Sequence, residues 1–239
     1  MKKYSIAILV PTTSNGRNNW HTIEHTYIYN ILLKTLYKTL DQEHKYTIYV
    51  GIDPDDRIFS NPTEIIKLKN IFKHIEFKFI KFQNIEKGYL TKMWNILFTQ
   101  AYNDSHDYFF QCGDDIHFYT KGWVNACVNA LLKNNNIGIS GPMTQNLSIL
   151  TQVMVSRKHM DIFGYFFPTE MKNWFCDNWY CHTYKPNHYF PLLQHHCINQ
   201  GGIERYNIGN IHQIRLLAKN IAERDKNKLE NYLKNNIII

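Results

Sequence analysis

Four widely separated segments carry side chains suited to chemistry. In the run Phe109, Phe110, Gln111, Cys112, Gly113, Asp114, Asp115, Ile116, an apolar strand ends in a glycine and two carboxylates. Anionic oxygens at a strand end suit a hard divalent cation that bridges protein and diphosphate. An Asp-rich turn has the same composition, because glycine and aspartate are ordinary turn residues. The second segment is Asp53, followed by Asp55 and Asp56. A carboxylate at a strand tip accepts a hydrogen bond from an imide N–H such as that of uracil, while Thr12, Thr13 and Arg17 suit base, ribose or phosphate. The plain alternative is that Asp53 and Pro54 open a turn. In the third segment Asp177 stands between Trp174 and Trp179. Desolvation by an apolar wall would lift its pKa toward that of a general base, and a helix-capping role is the alternative. The fourth holds His195, His196 and Cys197, then Gly201, Gly202, Arg205 and Tyr206. Imidazole is a ligand for manganese or zinc, so either histidine is a candidate to complete a metal shell, and Arg205 to pair with a phosphate.

These residues need elements that bring them together. The first strand covers 4–10, because Ile6 to Val10 is a short continuous apolar run, the pattern of a strand covered on both faces, and Pro11 ends it. A polar loop over 12–19 leads to a helix of about twenty residues on the spacing of Ile23, Tyr27, Ile28, Ile31, Leu32 and Leu36. A second strand covers 46–52, and Asn61 with Pro62 supplies an N-cap and first-turn proline for a helix through Phe72. A strand over 76–82, a helix over 91–102 and a strand over 108–112 follow. Strands alternating with helices predict an open, mostly parallel sheet with helices on both sides, and such sheets bind ligands at the carboxyl ends of their strands. Beyond Trp123 the rhythm is irregular: a helix to Lys133, a strand over 137–140, an aromatic-rich stretch from Phe163 to Phe190, and a terminal amphipathic helix over 212–234.

The chain of 239 residues, 44% hydrophobic and 20% charged, has the composition of a globular domain. No apolar run reaches the roughly 18 residues that cross a bilayer, and no export signal is read at the N-terminus. Five cysteines at irregular spacing fit a reducing compartment, so a cytoplasmic location is expected. A net charge of +7 favours anionic partners without choosing among them.

Taken in order, LVPTTSNGR at the first strand end, Asp53 after the second, the helix around Lys92 and Asn95, CGDDI, and FGYFFPTEMKNWFCDNW resemble the GT-A fold glycosyltransferases. The likeness is to family-two-like nucleotide-sugar transferases, especially those of large DNA viruses, and it runs over residues 4–206. It implies an α/β, GT-A fold with a central, mostly parallel sheet in one domain: a nucleotide-binding half over 1–116, an acceptor-side half over 117–206 and a C-terminal helix over 207–239. It further implies transfer from a nucleoside diphosphate sugar, a UDP-sugar, to a hydroxyl of a glycan or glycoprotein acceptor. Contacts to the nucleotide sugar fall to Pro11, Thr12, Thr13, Arg17, Asp53, Lys92, Asp114 and Arg205. A manganese or magnesium ion falls to Asp115 with His195 or His196, and the general base of an inverting reaction to Asp177. In viral company the location would be the host cytoplasm or virus factory. The family's Asp-any-Asp has Gly113 at its first position, which leaves coordination to Asp115 and turns Asp114 toward ribose or sugar.

Two other functions share some of these features. A divalent-metal nuclease also uses aspartates on an α/β sheet with a basic surface, but its first acid normally follows the first strand, where Thr12 and Thr13 stand here. A zinc-stabilised nucleic-acid-binding module would draw on Cys176, Cys181, His182, His195 or Cys197, at spacings that match no standard finger. Lysines 67, 69, 73, 78 and 81, interleaved with apolar residues, read as a solvated face, and no nucleic-acid partner is expected.

Overall fold

The computed structural model describes residues 2–201 and 210–236. Strand β1 (Ser5–Pro11) is buried on both faces, and successive side chains point to opposite sides of a pleated strand. Ile6, Ile8 and Val10 therefore enter one core, and Ala7 and Leu9 the other. Burying each such aliphatic side chain stabilises the fold by about 1.5–3 kcal/mol. β2 (Lys45–Ile52) runs parallel to β1, with Ile48 and Val50 on one side and Tyr49 on the other. β3 (Glu76–Lys81) closes that end of the sheet, and Glu76, Lys78 and Lys81 along it discourage pairing with another chain. β4 (Tyr108–Gln111) lies parallel to β1 on its other side.

The predicted long helix over the residues after Asn19 is instead a broken segment. A 3-10 turn (Ile23–His25), a π-helical turn (Ile28–Leu33) and the short helix α1 (Lys34–Thr39) follow one another. The apolar spacing still works: Ile23, Ile28, Leu32, Leu33 and Leu36 are all buried against β1 and β2. Helix α2 (Pro62–Ile71) starts as predicted, with the Asn61 side chain accepting from the Thr63 N–H at 3.0 Å. α3 (Leu90–Asn103) covers the other face through Leu97, Phe98 and Ala101.

After β4 the chain makes the short strand β5 (Ile116–Phe118), helix α4 (Trp123–Leu132), β6 (Ile139–Met143), β7 (Val153–Ser156), α5 (Lys158–Phe163), α6 (Cys176–Tyr184), β8 (Tyr189–Asn199) and α7 (Ile211–Asn236). The strand order is β3-β2-β1-β4-β7-β6-β8-β5. The block β3-β2-β1-β4 is parallel, whereas β7 is antiparallel to both β4 and β6, and β5 is antiparallel to β8. The aromatic-rich stretch resolves into the loop after α5, helix α6 and the first two residues of β8, with Phe166, Phe167, Trp179, Tyr180 and Tyr184 fully buried in the α3-side core. The five cysteines are free and buried. No helix among the described residues is long and apolar enough to cross a membrane.

β6 and the start of β7 approach closely at Gly141, where an added Cβ would lie 2.1 Å from the main-chain oxygen of Gln152. Backbone cannot swing aside as a side-chain tip can. Gly141→Ala is expected to lower stability by about 3 kcal/mol, read as a fall in the urea midpoint at unchanged slope.

Candidate functional site

In the parallel block all four strands end at the same edge, so the loops after β1, β2 and β4 meet there. The main chain of Thr12 continues the ladder by donating to the Gly51 carbonyl at 2.8 Å. The Thr12 hydroxyl then donates to Asp114 Oδ2 at 2.7 Å, and the Thr13 hydroxyl to Asp53 Oδ2 at 2.7 Å. Two adjacent threonines thus tie the Asp53 carboxylate after β2 to the Asp114 carboxylate after β4. Asp114 is buried and Asp53 half-buried. Pro11 closes β1 in register with Gly51.

Asp56, which sequence analysis noted only as a neighbour of Asp53, organises the loop from beneath. Its fully buried carboxylate accepts from Ser14 N (2.5 Å), Ser14 Oγ (2.8 Å), Ile58 N (3.0 Å) and Phe59 N (2.9 Å). Side-chain to main-chain bonds of this kind are the ordinary work of aspartate in turns, and the Asp56 N–H donates to the Asp53 carbonyl at 3.2 Å, so Asp53 and Pro54 do open a turn and Asp56 braces it.

Arg17 sits in the same loop with its guanidinium 4.8 Å from the Tyr27 ring centre and 5.1 Å from that of Trp20. Its Nε and Nη2 are buried and have no hydrogen-bond partner among the described residues. A guanidinium enclosed by aromatic rings with idle donors suits an oxyanion. Lys92, at the start of α3, is exposed with its ammonium 4.3 Å from the Tyr89 ring centre. Arg205, together with Gly202 and Tyr206, lies outside the described residues.

Asp115 follows Asp114 and leads into β5. Its carbonyl accepts from Gln200 N at 2.9 Å, and its Oδ1 from Asn199 Nδ2 at 3.3 Å. Gly201 allows this approach: a Cβ there would lie 1.7 Å from Asp115 Oδ2. Nothing in the sequence singles out Asn199, and Gly201 stands there only as part of a glycine pair. Gln152 is equally unmarked, yet its Oε1 accepts from Gly113 N at 3.0 Å and fixes the turn before the two aspartates.

The histidines of the expected metal shell do not join Asp115. The β5–β8 ladder sets Ile116 against Asn199 and Phe118 against Cys197, and continues as Tyr119 N donates to the His196 carbonyl. Asp115 faces Gln200, so His196 and His195 stand four and five residues further along, about 13 and 17 Å at the usual strand rise. That gap exceeds the combined reach of the two side chains. Among the described residues no three His, Cys, Asp or Glu side chains gather to hold a metal, which also leaves the zinc-module alternative without a ligand set there. The donor chemistry at Asp115 nevertheless fits manganese or magnesium, which a protein commonly holds through one or two carboxylates plus substrate phosphates.

Asp177 is in the first turn of α6, and it is that helix, through Cys181, that contacts the β6–β7 connection. The Cys181 thiol, one turn further on, meets the Leu150 backbone, and Leu150 stands two residues before Gln152. On the other side, Thr91 at the start of α3 bonds through its hydroxyl to the Met171 carbonyl and through its N–H to that of Lys172 at 3.2 Å. Phe175, just before the helix, has φ 66°, a left-handed backbone conformation that costs a bulky residue about 1–3 kcal/mol. Burial pushes the Asp177 carboxyl up to about 7, against a smaller opposing effect of the Cys176 thiol, whose Sγ is 3.7 Å from Oδ1.

No family model and no curated protein matches the sequence. Solved structures do. TarS of S. aureus superposes with a TM-score of 0.59 at 12% identity, over 96% of this chain and 43% of its own. The mannosyltransferase PcManGT of Pyrobaculum calidifontis, solved with GDP-Man and Mn2+, gives 0.59 at 10% identity, over 90% of this chain and 61% of its own. GalNAc-T7, solved with UDP, GalNAc and Mn2+, gives 0.61 at 8% identity, over 90% and 47%. The chain therefore spans about half the length of these proteins. At such identities the likeness is one of fold, and that fold is GT-A, as the sequence motifs imply.

The raised pKa of Asp177 has a signed consequence. An ordinary carboxyl titrates near 3.9, so the folded chain binds this proton more tightly than the unfolded chain does. The resulting stability is complete below pH of about 4 and is lost as pH rises through about 7. Relative to wild type, Asp177→Asn is expected to gain stability as pH goes from 5 to 8, measured by urea unfolding of both proteins.

Proposed function

We propose that this chain is a metal-dependent glycosyltransferase that moves a sugar from a nucleoside diphosphate donor, a UDP-sugar, to an acceptor hydroxyl of a glycan or glycoprotein. The observation that carries the reading is the pair of bonds from Thr12 to Asp114 and from Thr13 to Asp53. They gather carboxylates from distant stretches at one sheet edge, and the loop that carries the two threonines also carries Arg17. The fold shared with TarS, PcManGT and GalNAc-T7 supports it, as do the nucleotides and nucleotide sugars bound in structures of that group, among them TarS with UDP-GlcNAc.

In this reading Asp53 accepts from the uracil imide, Thr12 and Thr13 hold Asp53 and Asp114 in place, and Asp114 faces ribose or sugar. Pro11 and Lys92 line the same donor site. Arg17 takes a donor oxyanion. Asp115 is the protein's ligand for manganese or magnesium, and the ion when bound supplies positive charge against the departing diphosphate. Asp177, poised near neutrality, accepts the proton of the acceptor hydroxyl as that oxygen forms its bond to the anomeric carbon. The bond from that carbon to the diphosphate oxygen breaks in the same step, and the nucleoside diphosphate leaves with inversion of configuration. The single-domain division into a nucleotide-binding half over 1–116, an acceptor-side half from 117 and a C-terminal helix belongs to the same proposal.

UDP with manganese is expected to raise the melting temperature by several degrees, and chelation to remove the rise. Indifference to every nucleoside diphosphate would overturn the assignment. Asp177→Asn is expected to lower transfer from a UDP-sugar by at least about 100-fold while sparing UDP binding. Loss of binding together with transfer would make Asp177 structural. Gly201→Ala, which drives a methyl into the Asp115 carboxylate, is expected to weaken the manganese-dependent part of the thermal shift selectively.

A further inference from the structure

Helix α7 grips α6 at two points. Near its N-terminal end the Arg215 guanidinium stacks 5.3 Å from the ring centre of Phe175, the left-handed residue that starts α6. Two to three turns further on, Asp225 is fully buried among donors. Its Oδ2 accepts from Trp179 Nε1 at 3.1 Å and from Tyr165 at 2.6 Å, and its Oδ1 meets Lys228 Nζ and Arg224 Nε, each at 2.9 Å. Arg224 also pairs with Glu170. Packing alone does not require this arrangement, because a buried ionic cluster stabilises a fold no better than apolar side chains of similar volume. What it adds is direction: the indole N–H of Trp179 has one place to point.

Trp179 stands two residues after Asp177, about 200° round the helix. The bond that fixes Trp179 against α7 therefore fixes the rotation of α6 about its own axis, and with it the bearing of the face that carries Asp177, Tyr180 and Cys181. We propose that Asp225 is a positioning residue that acts through the Trp179 indole, holding α6 so that Asp177 is enclosed and aimed at the strand-end site. The inference rests on the role assigned to Asp177 above. Among the described residues Cys176, Tyr180 and Cys181 are the titratable groups whose charge couples to Asp177, all with burial raising their pKa values and none cationic. His159 of α5, buried and pushed down to about 4, stands near Asp225 and is neutral at working pH.

The test is a carboxylate titration of Asp177 by carbon-13 NMR in the full chain, which needs no substrate, with donor kinetics beside it. Trp179→Phe keeps an aromatic ring and deletes the donor. It is expected to drop the apparent pKa of Asp177 from about 7 to below about 6 as water reaches the loosened turn. The same variant is expected to lower kcat at pH 7 roughly tenfold, with donor KM within twofold of wild type. Asp225→Ala removes the acceptor and leaves Trp179 whole; it must move the titration the same way, and it decides the matter should Trp179→Phe fail to fold. Tyr165→Phe deletes a different bond to Asp225 while keeping the ring that packs on Trp179 and the indole's own bond, and is expected to leave the Asp177 titration where it is. An unmoved titration in the folded Trp179 or Asp225 variant, or an equal shift in Tyr165→Phe, would overturn the proposal. A shifted titration in a protein that turns over no nucleotide sugar would instead sink the transferase reading and leave the positioning intact.

Discussion

The hydroxyl of Thr12 bonded to Asp114 is the contact on which the rest of the site depends. A carboxylate as buried as Asp114 is expensive to desolvate unless strong donors reach it, and hydrogen bonds to a charged acceptor contribute about 1.5–3 kcal/mol. That donor is available because β1 and β4 are parallel neighbours, so that their carboxyl ends coincide. The neighbouring Thr13 reaches the opposite way, to Asp53 after β2. A single dipeptide at the tip of the central strand thus sets the spacing of carboxylates that come from residues 53 and 114. Asp56, underneath, keeps the loop from collapsing onto them by satisfying its main-chain donors.

The parallel half was legible in the sequence because its physics is local and repetitive. Double-sided burial writes continuous apolar runs such as Ile6 to Val10, and Asn61 with Pro62 announces a helix start by capping alone. The half after β4 was not. β7 is four residues long, too short for a period to show, and β8 carries Leu193, Gln194, His195 and His196 in succession, so no alternation marks it as a strand. In α6 the buried positions include Trp179, Tyr180, Cys181, Thr183 and Tyr184, which leaves no single apolar stripe at helical spacing.

Individual residues divide along the same line. Thr12, Thr13 and Asp53 could be placed from the rule that loops at strand carboxyl ends bear function, and the structure brings them together. His195 and His196 were drawn toward Asp115 by chemical type alone, and the register of β5 on β8 separates them. Gln152 and Asn199 carry no signal, because an amide is an ordinary loop residue until its partner is known. Asp225 was concealed most thoroughly. In the run Glu223, Arg224, Asp225, Lys226 it has the composition of a solvated helix face, yet it is the one of the four that is fully buried.

The enclosure of all five thiols has a bearing on how the molecule ages. Burial pushes Cys127 and Cys197 up to about 12 and raises Cys112, Cys176 and Cys181 as well, so little thiolate exists at neutral pH to meet an oxidant or electrophile. Sulfur reactivity is then a property of the opened chain rather than of the native one. Because Cys112 follows β4, Cys127 lies in α4, Cys176 and Cys181 in α6 and Cys197 in β8, the order in which alkylating reagents mark them would report which part of the architecture yields first.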